Sequence, residues 1–144
     1  MQKYCAYQDR CHQEVRRKLI DLEVYGDDLE DIIYELVQDN FLNEERFARS
    51  FARGKYRMKK WGKYRIQNEL KQRQISDYCI RKAMTEIDPE EYHQNLISLV
   101  EKYHRDYGHL SDFAARKKIN AALQRKGYSY GEIEEGMRVY KSDN

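Results

Sequence analysis

The run IQNELKQRQISDYCIRKAM, from Ile66 to Met84, decides how the rest of the chain is read. Its apolar positions are Ile66, Leu70, Ile75, Ile80 and Met84, spaced 4, 5, 5 and 4 residues apart. A step of four is one turn along a single helical face, whereas a step of five is too long for an unbroken stripe. Two fives in succession therefore straddle a tight turn between two short helices. Ser76-Asp77 lies where that turn has to be, and Ser76 is a residue type that caps the second helix.

The same spacing recurs on both sides of this run. Val15, Leu19, Val24, Leu29 and Ile33 form one further set, and Ile119, Leu123, Tyr128, Ile133 and Met137 form another, at offsets of 51 and 53 residues. Three sets in register at a near-constant period mark a repeated supersecondary unit. The turn of the first set is Tyr25-Gly26-Asp27. In the third, Ser129 with Glu132 three residues later makes a capping box.

Each unit also carries a longer helix in front. Asn43 followed by Glu44 and Glu45 starts one, with a cap and first-turn acids that complement the helix dipole. Asp88-Pro89-Glu90-Glu91 starts another, which runs through Leu96, Val100 and Tyr103 to about Asp106 and stops near Gly108, and Ser111 caps the next helix. The first unit holds only the end of such a helix, around Tyr4 to Gln8. Pro89 is the only proline, and nothing alternates with period two for long enough to make a strand. The expectation is an all-α fold of three tandem three-helix, helix-turn-helix-like repeats in an elongated body. Repeat 1 covers 1–40 and is truncated at its N-terminus, repeat 2 covers 41–87, and repeat 3 covers 88–144. Units this small bury their apolar stripes only by packing in series.

Charge singles out the middle repeat. Between Arg46 and Arg73 stand eleven Lys or Arg against Glu69 alone, a formal charge of +10, while residues 1–45 carry −7 and residues 74–144 carry −1. At 100° per residue, Phe47, Phe51, Gly54 and Met58 fall on one narrow face, expected to pack. Arg46, Arg49, Arg53, Arg57 and Lys60 fall together nearly opposite. Five bases on one stripe without interleaved acids repel one another by a few tenths of a kcal/mol per close pair, which points to an anionic partner. The candidate binding residues are Arg46, Arg49, Arg53, Lys55, Arg57, Lys59, Lys60, Trp61, Lys63 and Arg65, with Trp61, Tyr56 and Tyr64 placed to stack on bases or on a protein surface. For Trp61, packing beneath the turn is an equal alternative. Arg16-Arg17-Lys18, Arg116-Lys117-Lys118 and Arg125-Lys126 occupy matching helices of the outer repeats, either as solvated faces or as extensions of one basic surface.

Charged residues are 36% of the chain, and thirteen tyrosines stand among the 40% counted as hydrophobic. Mean hydropathy is −1.04. No apolar run approaches the roughly 20 residues that span a bilayer. Cys5, Cys11 and Cys79 match no zinc or redox spacing and read as reduced thiols of a cytoplasmic protein. His12, His93, His104 and His109 match no metal motif, and there is no Gly-rich phosphate loop and no nucleophile with a base at recognisable spacing. The expectation is a binding protein with no catalytic residues, metal or cofactor.

The run Leu36-Val37-Gln38-Asp39-Asn40-Phe41-Leu42-Asn43-Glu44-Glu45-Arg46-Phe47-Ala48, followed by Phe51, Arg57, Trp61-Gly62, Arg65-Ile66, Glu69-Leu70 and Ile75, resembles the central block of the RecX family of recombinase modulators. The resemblance is close from Leu36 to Met84 and weaker in the flanking units. It implies a monomer that binds the RecA recombinase, lodges in the groove of its nucleoprotein filament and inhibits strand exchange and ATP hydrolysis, so tuning DNA repair and the SOS response. It also implies weak or supporting contacts with single- and double-stranded DNA, and no membrane. Two positions depart from the family pattern. Gln74 stands where glycine usually precedes the isoleucine of the turn, which puts a side chain into that turn, and Glu44-Glu45 replaces an aspartate pair. The alternative is a general helical DNA-binding protein acting through a basic groove without RecA. A base-reading helix would combine bases with Asn, Gln or Ser, and Gln67-Asn68 is the only such pair.

Overall fold

The 4-5-5-4 spacing turns out to be the imprint of two cap motifs placed back to back. In the computed structural model, which describes residues 1–143, the helices that carry it are α2 (His12–Asp21) and α3 (Gly26–Gln38), α5 (Lys63–Gln72) and α6 (Asp77–Met84), and α8 (Asp112–Lys126) and α9 (Tyr130–Asp143). Each first helix ends in a left-handed residue, Glu23 at φ 63°, Gln74 at φ 61° and Gly127 at φ 107°. The next amide then reaches back five residues: Val24 N–H to Leu19 O at 2.9 Å, Ile75 to Leu70 at 3.1 Å and Tyr128 to Leu123 at 3.1 Å. This is the Schellman closure, whose apolar pair lies five residues apart. The second step of five is the hydrophobic staple, from the residue before the N-cap to the fourth helical position: Val24 to Leu29, Ile75 to Ile80, Tyr128 to Ile133. One stop signal and one start signal thus share a residue in every repeat.

The caps fall where the side chains place them. Asn43 Oδ1 accepts from Arg46 N at 2.8 Å and Ser76 Oγ from Cys79 N at 3.2 Å. Asp88 Oδ2 accepts from Glu91 N at 2.9 Å and Ser111 Oγ from Ala114 N at 3.3 Å. Ser129 and Glu132 complete the reciprocal box, at 3.2 and 2.8 Å. Gln74 pays the usual penalty of a side chain in the left-handed region, so Gln74→Gly is expected to raise stability by about 1 kcal/mol. The measurement is the urea midpoint, and a fall would show that the Gln74 side chain makes a contact worth more than its strain.

The leading helices are α1 (Gln2–Tyr7), α4 (Glu44–Met58) and α7 (Pro89–Tyr107). Among the described residues every regular element is helical, as expected. The first unit has its own core of Cys5, Val15, Leu19, Leu29, Ile33, Leu36 and Leu42. The second and third share one continuous core, from Phe47 and Tyr56 through Ile66 and Leu70 to Leu96, Leu123 and Ile133. All the stripe positions are buried except Val24, Met84 and Met137, which are half-buried. The accessible surface is 9306 Å². A compact monomer of 17.5 kDa would expose roughly 7,900 Å², so the serial packing leaves extra surface.

The expected packing face of α4 holds for Phe47, which is buried, and Phe51, which packs against the core, but not for its other two members. Met58 is 82% exposed, and a Cβ on Gly54 would meet open space. The buried residues are Phe47, Ala48, Ala52 and Tyr56, with Ala83 of α6 opposite. Small side chains let α6 lie close against α4, the most intimate helix pair of the chain. Tyr56, expected to stack on a partner, is 0% exposed. It is core.

Candidate functional site

The bases of α4 do lie on one side, but other elements bring carboxylates to them. Arg46 Nε meets Asp9 Oδ1 of the first unit at 2.6 Å and its guanidinium donates to the carbonyls of Asn40 and Phe41, at 3.0 and 3.3 Å. Arg49 and Arg53 share Glu86, at 3.0 and 3.3 Å. Arg57 donates to the Tyr56 hydroxyl at 3.1 Å and approaches Glu91 at 3.6 Å. The hydrogen bond from Arg49 holds Glu86 below the usual carboxylate range and raises Arg49 in turn. The expected stripe of mutually repelling bases is therefore largely compensated, because Asp9, Glu86 and Glu91 come from outside the basic stretch. Exposed pairs of this kind contribute about 0–1 kcal/mol each. They can be exchanged for pairs with a partner at small loss.

A second group of cations lies further along, where the α4–α5 loop meets the α8–α9 turn. Gly62 N–H donates to Lys126 O at 2.7 Å and Tyr64 N–H to Gly127 O at 3.1 Å. The Tyr128 hydroxyl donates to Lys60 O at 2.8 Å, and Lys63 N–H to the Tyr92 hydroxyl at 3.0 Å. The backbones touch at this seam, since a Cβ on Gly62 would lie 2.2 Å from the Gly127 carbonyl carbon. Around it the cations are held by neutral groups: Lys126 Nζ by Lys59 O at 3.0 Å, Lys60 Nζ by Ser98 Oγ at 2.8 Å and the Arg65 guanidinium by Arg125 O at 3.2 Å. Burial, and then Arg65, Lys102, Lys59 and Lys60, push the Lys126 ammonium down from its ordinary value.

Trp61 is half-buried, edge-on to Phe51 at 6.1 Å, with Lys55 Nζ 5.0 Å and the Arg65 guanidinium 4.1 Å from its ring centre. It packs against the core with cations near its ring. Lys63 Nζ lies 5.0 Å from the ring centre of buried Tyr92. Of the candidates, Lys59, Lys60 and Arg65 converge at the seam, Lys55 and Arg65 meet over Trp61, Arg49 and Arg53 converge on Glu86, and Arg46 turns to the first unit. Lys102 and Lys126 complete the seam. Arg125-Lys126 was visible as a basic pair, but no sequence signal places Lys102, one helical turn from the Ser98 that Lys60 touches, near Lys126. In the other outer patches Arg16 is paired with Glu30 and Arg116 reaches Glu134 at 3.8 Å.

A string of three-helix units whose second member carries most of the chain's bases defines a helical-repeat protein. The profile of the second three-helix domain of RecX matches residues 43–84 and that of the third matches residues 90–137. The chain belongs to the RecX family. It is 28% identical over 140 residues to the "Regulatory protein RecX" of Bacillus mycoides (strain KBAB4), covering 97% of this chain and 52% of that protein. To the protein of the same name from Lactococcus lactis subsp. cremoris (strain SK11) it is 31% identical over 130 residues, covering 88% and 48%. The chain thus spans about half the length of these curated relatives. The crystal structure of RecX from Lactobacillus salivarius superposes with a TM-score of 0.82 at 27% identity, covering 96% of this chain and 90% of the other. A second, described as regulatory protein RecX, gives 0.86 at 24% identity over 94% and 68%, a likeness of fold. The relatives are named as regulators, and no described helix is long and apolar enough to cross a membrane.

Proposed function

We propose that this chain is a RecX-type regulator that binds the RecA nucleoprotein filament in the cytoplasm and restrains its ATP hydrolysis and strand exchange, with DNA contacts in support. Family membership gives the reading its direction. The observation that carries it is the α4 face, where Arg49, Arg53 and Arg57 keep side-chain exposures of 34%, 42% and 56% although each has a carboxylate near it. Guanidinium forks held by weak exposed pairs suit an acidic protein groove, where the forks re-pair with the partner's carboxylates. Serial units also let several weak contacts along a polymer add.

The test follows ATP hydrolysis by RecA filaments on single-stranded DNA. The chain is expected to inhibit, and Arg49→Glu, Arg53→Glu and Arg57→Glu together to weaken inhibition by at least about tenfold, the scale of losing charge pairs at an interface. Circular dichroism checks that the triple variant is folded. Glu86→Gln separates partner exchange from a structural role: it removes the internal competitor for Arg49 and Arg53, and inhibition is expected to persist or strengthen. Intact inhibition by a folded triple variant would remove the α4 face from the interface. Tight binding to bare DNA with no effect on the filament would instead favour a general DNA-binding protein.

A further inference from the structure

We propose that the seam between the second and third units is a binding site for a phosphate chain, held by Lys59, Lys60 and Arg65 from one side and Lys102 and Lys126 from the other. This deepens the proposed function by giving its nucleic-acid contact a place, and its biological meaning rests on that reading. The binding itself can be measured on the chain alone.

Two features set these cations apart from the arginines of α4. First, their partners are neutral. Lys126 sits on a carbonyl at 3.0 Å, Lys60 on a hydroxyl at 2.8 Å and Arg65 on a carbonyl at 3.2 Å. Among the described residues no ion pair joins any of the five to a carboxylate, whereas Arg49, Arg53 and Arg57 all have one. Second, the cations are brought together by a joint that cannot slide, since the Gly62–Lys126 and Tyr64–Gly127 backbone hydrogen bonds hold it. The like charges are therefore kept close whether or not an anion is present. Folding accepts this repulsion, and an anion relieves it.

The chemistry of the anion follows from the residue types and their spread. Four of the five are lysines, point charges that serve phosphate oxygens from many directions, and the guanidinium fork of Arg65 suits a phosphate as well as a carboxylate. The five come from the α4–α5 loop, the first turn of α5 and two helices of the next unit, so a single carboxylate would reach only some of them. A chain with a negative charge on every phosphate crosses the seam and meets them in turn. Trp61, in contact with Arg65 at 4.1 Å, lies at the edge of the cluster and is the only tryptophan. Its fluorescence reports on the site directly.

The experiment titrates the chain with a fluorescein-labelled fifteen-residue oligothymidylate and with inorganic polyphosphate of similar charge, between 50 and 200 mM salt, reading anisotropy or Trp61 emission. Lys59→Gln with Lys126→Gln is expected to weaken both by at least about tenfold and to lower the log–log salt slope for the oligonucleotide by about 1.4, two phosphates at 0.7 each. Arg16→Gln with Lys18→Gln, in the first unit and outside the seam, is expected to change binding less than about twofold. Trp61 quenching by the oligonucleotide but not by polyphosphate identifies nucleic acid as the source, and equal effects identify a free phosphate chain. The seam variant is expected to melt no lower than the wild type, because it removes repulsion, and ligand should raise the melting temperature of the wild type only. Unchanged binding by the seam variant, or equally tight binding of polyglutamate to the wild type, overturns the site. If the seam variant loses oligonucleotide binding while the wild-type chain has no effect on RecA filaments, the site stands and the filament reading fails.

Discussion

Gly62→Ala is expected to lower the unfolding midpoint by about 10 °C, a loss of about 3 kcal/mol at roughly 3 °C per kcal/mol for a chain of this size. The added Cβ would stand 2.2 Å from the Gly127 carbonyl carbon, 2.3 Å from its oxygen and 2.4 Å from Tyr128 N. All three are backbone atoms, so no side chain can swing aside. The seam has to open. With it go the 2.7 Å bond from Gly62 N–H to Lys126 O and the 3.1 Å bond from Tyr64 N–H to Gly127 O, each worth about 1 kcal/mol net. Gly127→Ala meets the same joint from the other side, with its Cβ 2.4 Å from Arg65 Cβ and its φ at 107°. The double variant should lose less than the sum of the two, because either one already opens the seam. A midpoint for Gly62→Ala within about 2 °C of wild type would mean that the seam is not closed in solution.

Tyr56→Ala is expected to destabilise by about 4 kcal/mol, and Tyr56→Phe by about 1 kcal/mol. The ring is 0% exposed in the core shared by the second and third units. Its hydroxyl donates to Glu91 Oε2 at 2.9 Å, and its carbonyl accepts from Asn95 Nδ2 of α7 at 2.7 Å. Truncation to alanine leaves a cavity where α4 meets α7, whereas phenylalanine fills the space and forfeits only the hydroxyl. Urea denaturation of both variants distinguishes this from a stacking role, in which Tyr56→Ala would leave stability unchanged and weaken partner binding instead.

Much of the fold was legible because it is written in local chemistry. The caps at Asn43, Ser76, Asp88, Ser111 and Ser129 work through hydrogen bonds three residues long, and a signal that short survives in one dimension. The repeated spacing was legible for the same reason, since its two fives are a helix stop and a helix start joined at one residue. Only part of the α4 packing face is legible in the sequence, because Ala48 and Ala52, both fully buried, carry no apolar bulk to mark them. Helical position alone put Gly54 and Met58 on the face of Phe47 and Phe51, and the structure leaves Met58 exposed and open space beside Gly54.

The candidate site divides along the same line. That the second unit is strongly basic, and that Lys59, Lys60 and Arg65 belong to its display, was set by the order of residues alone. Which of those charges are compensated was not. Glu86 and Glu91 answer the arginines only because the α6–α7 connection and the first turn of α7 lie along α4, and Lys126 joins the lysines only because the third unit docks on the α4–α5 loop. Sequence determined the repeats, their caps and the sign of the charge, since these depend on neighbours within about two helical turns. The tertiary structure decided where the charge is left unpaired, because Coulomb interaction acts through space and falls with distance, and the chain folds partners from different units to within a few ångströms of one another.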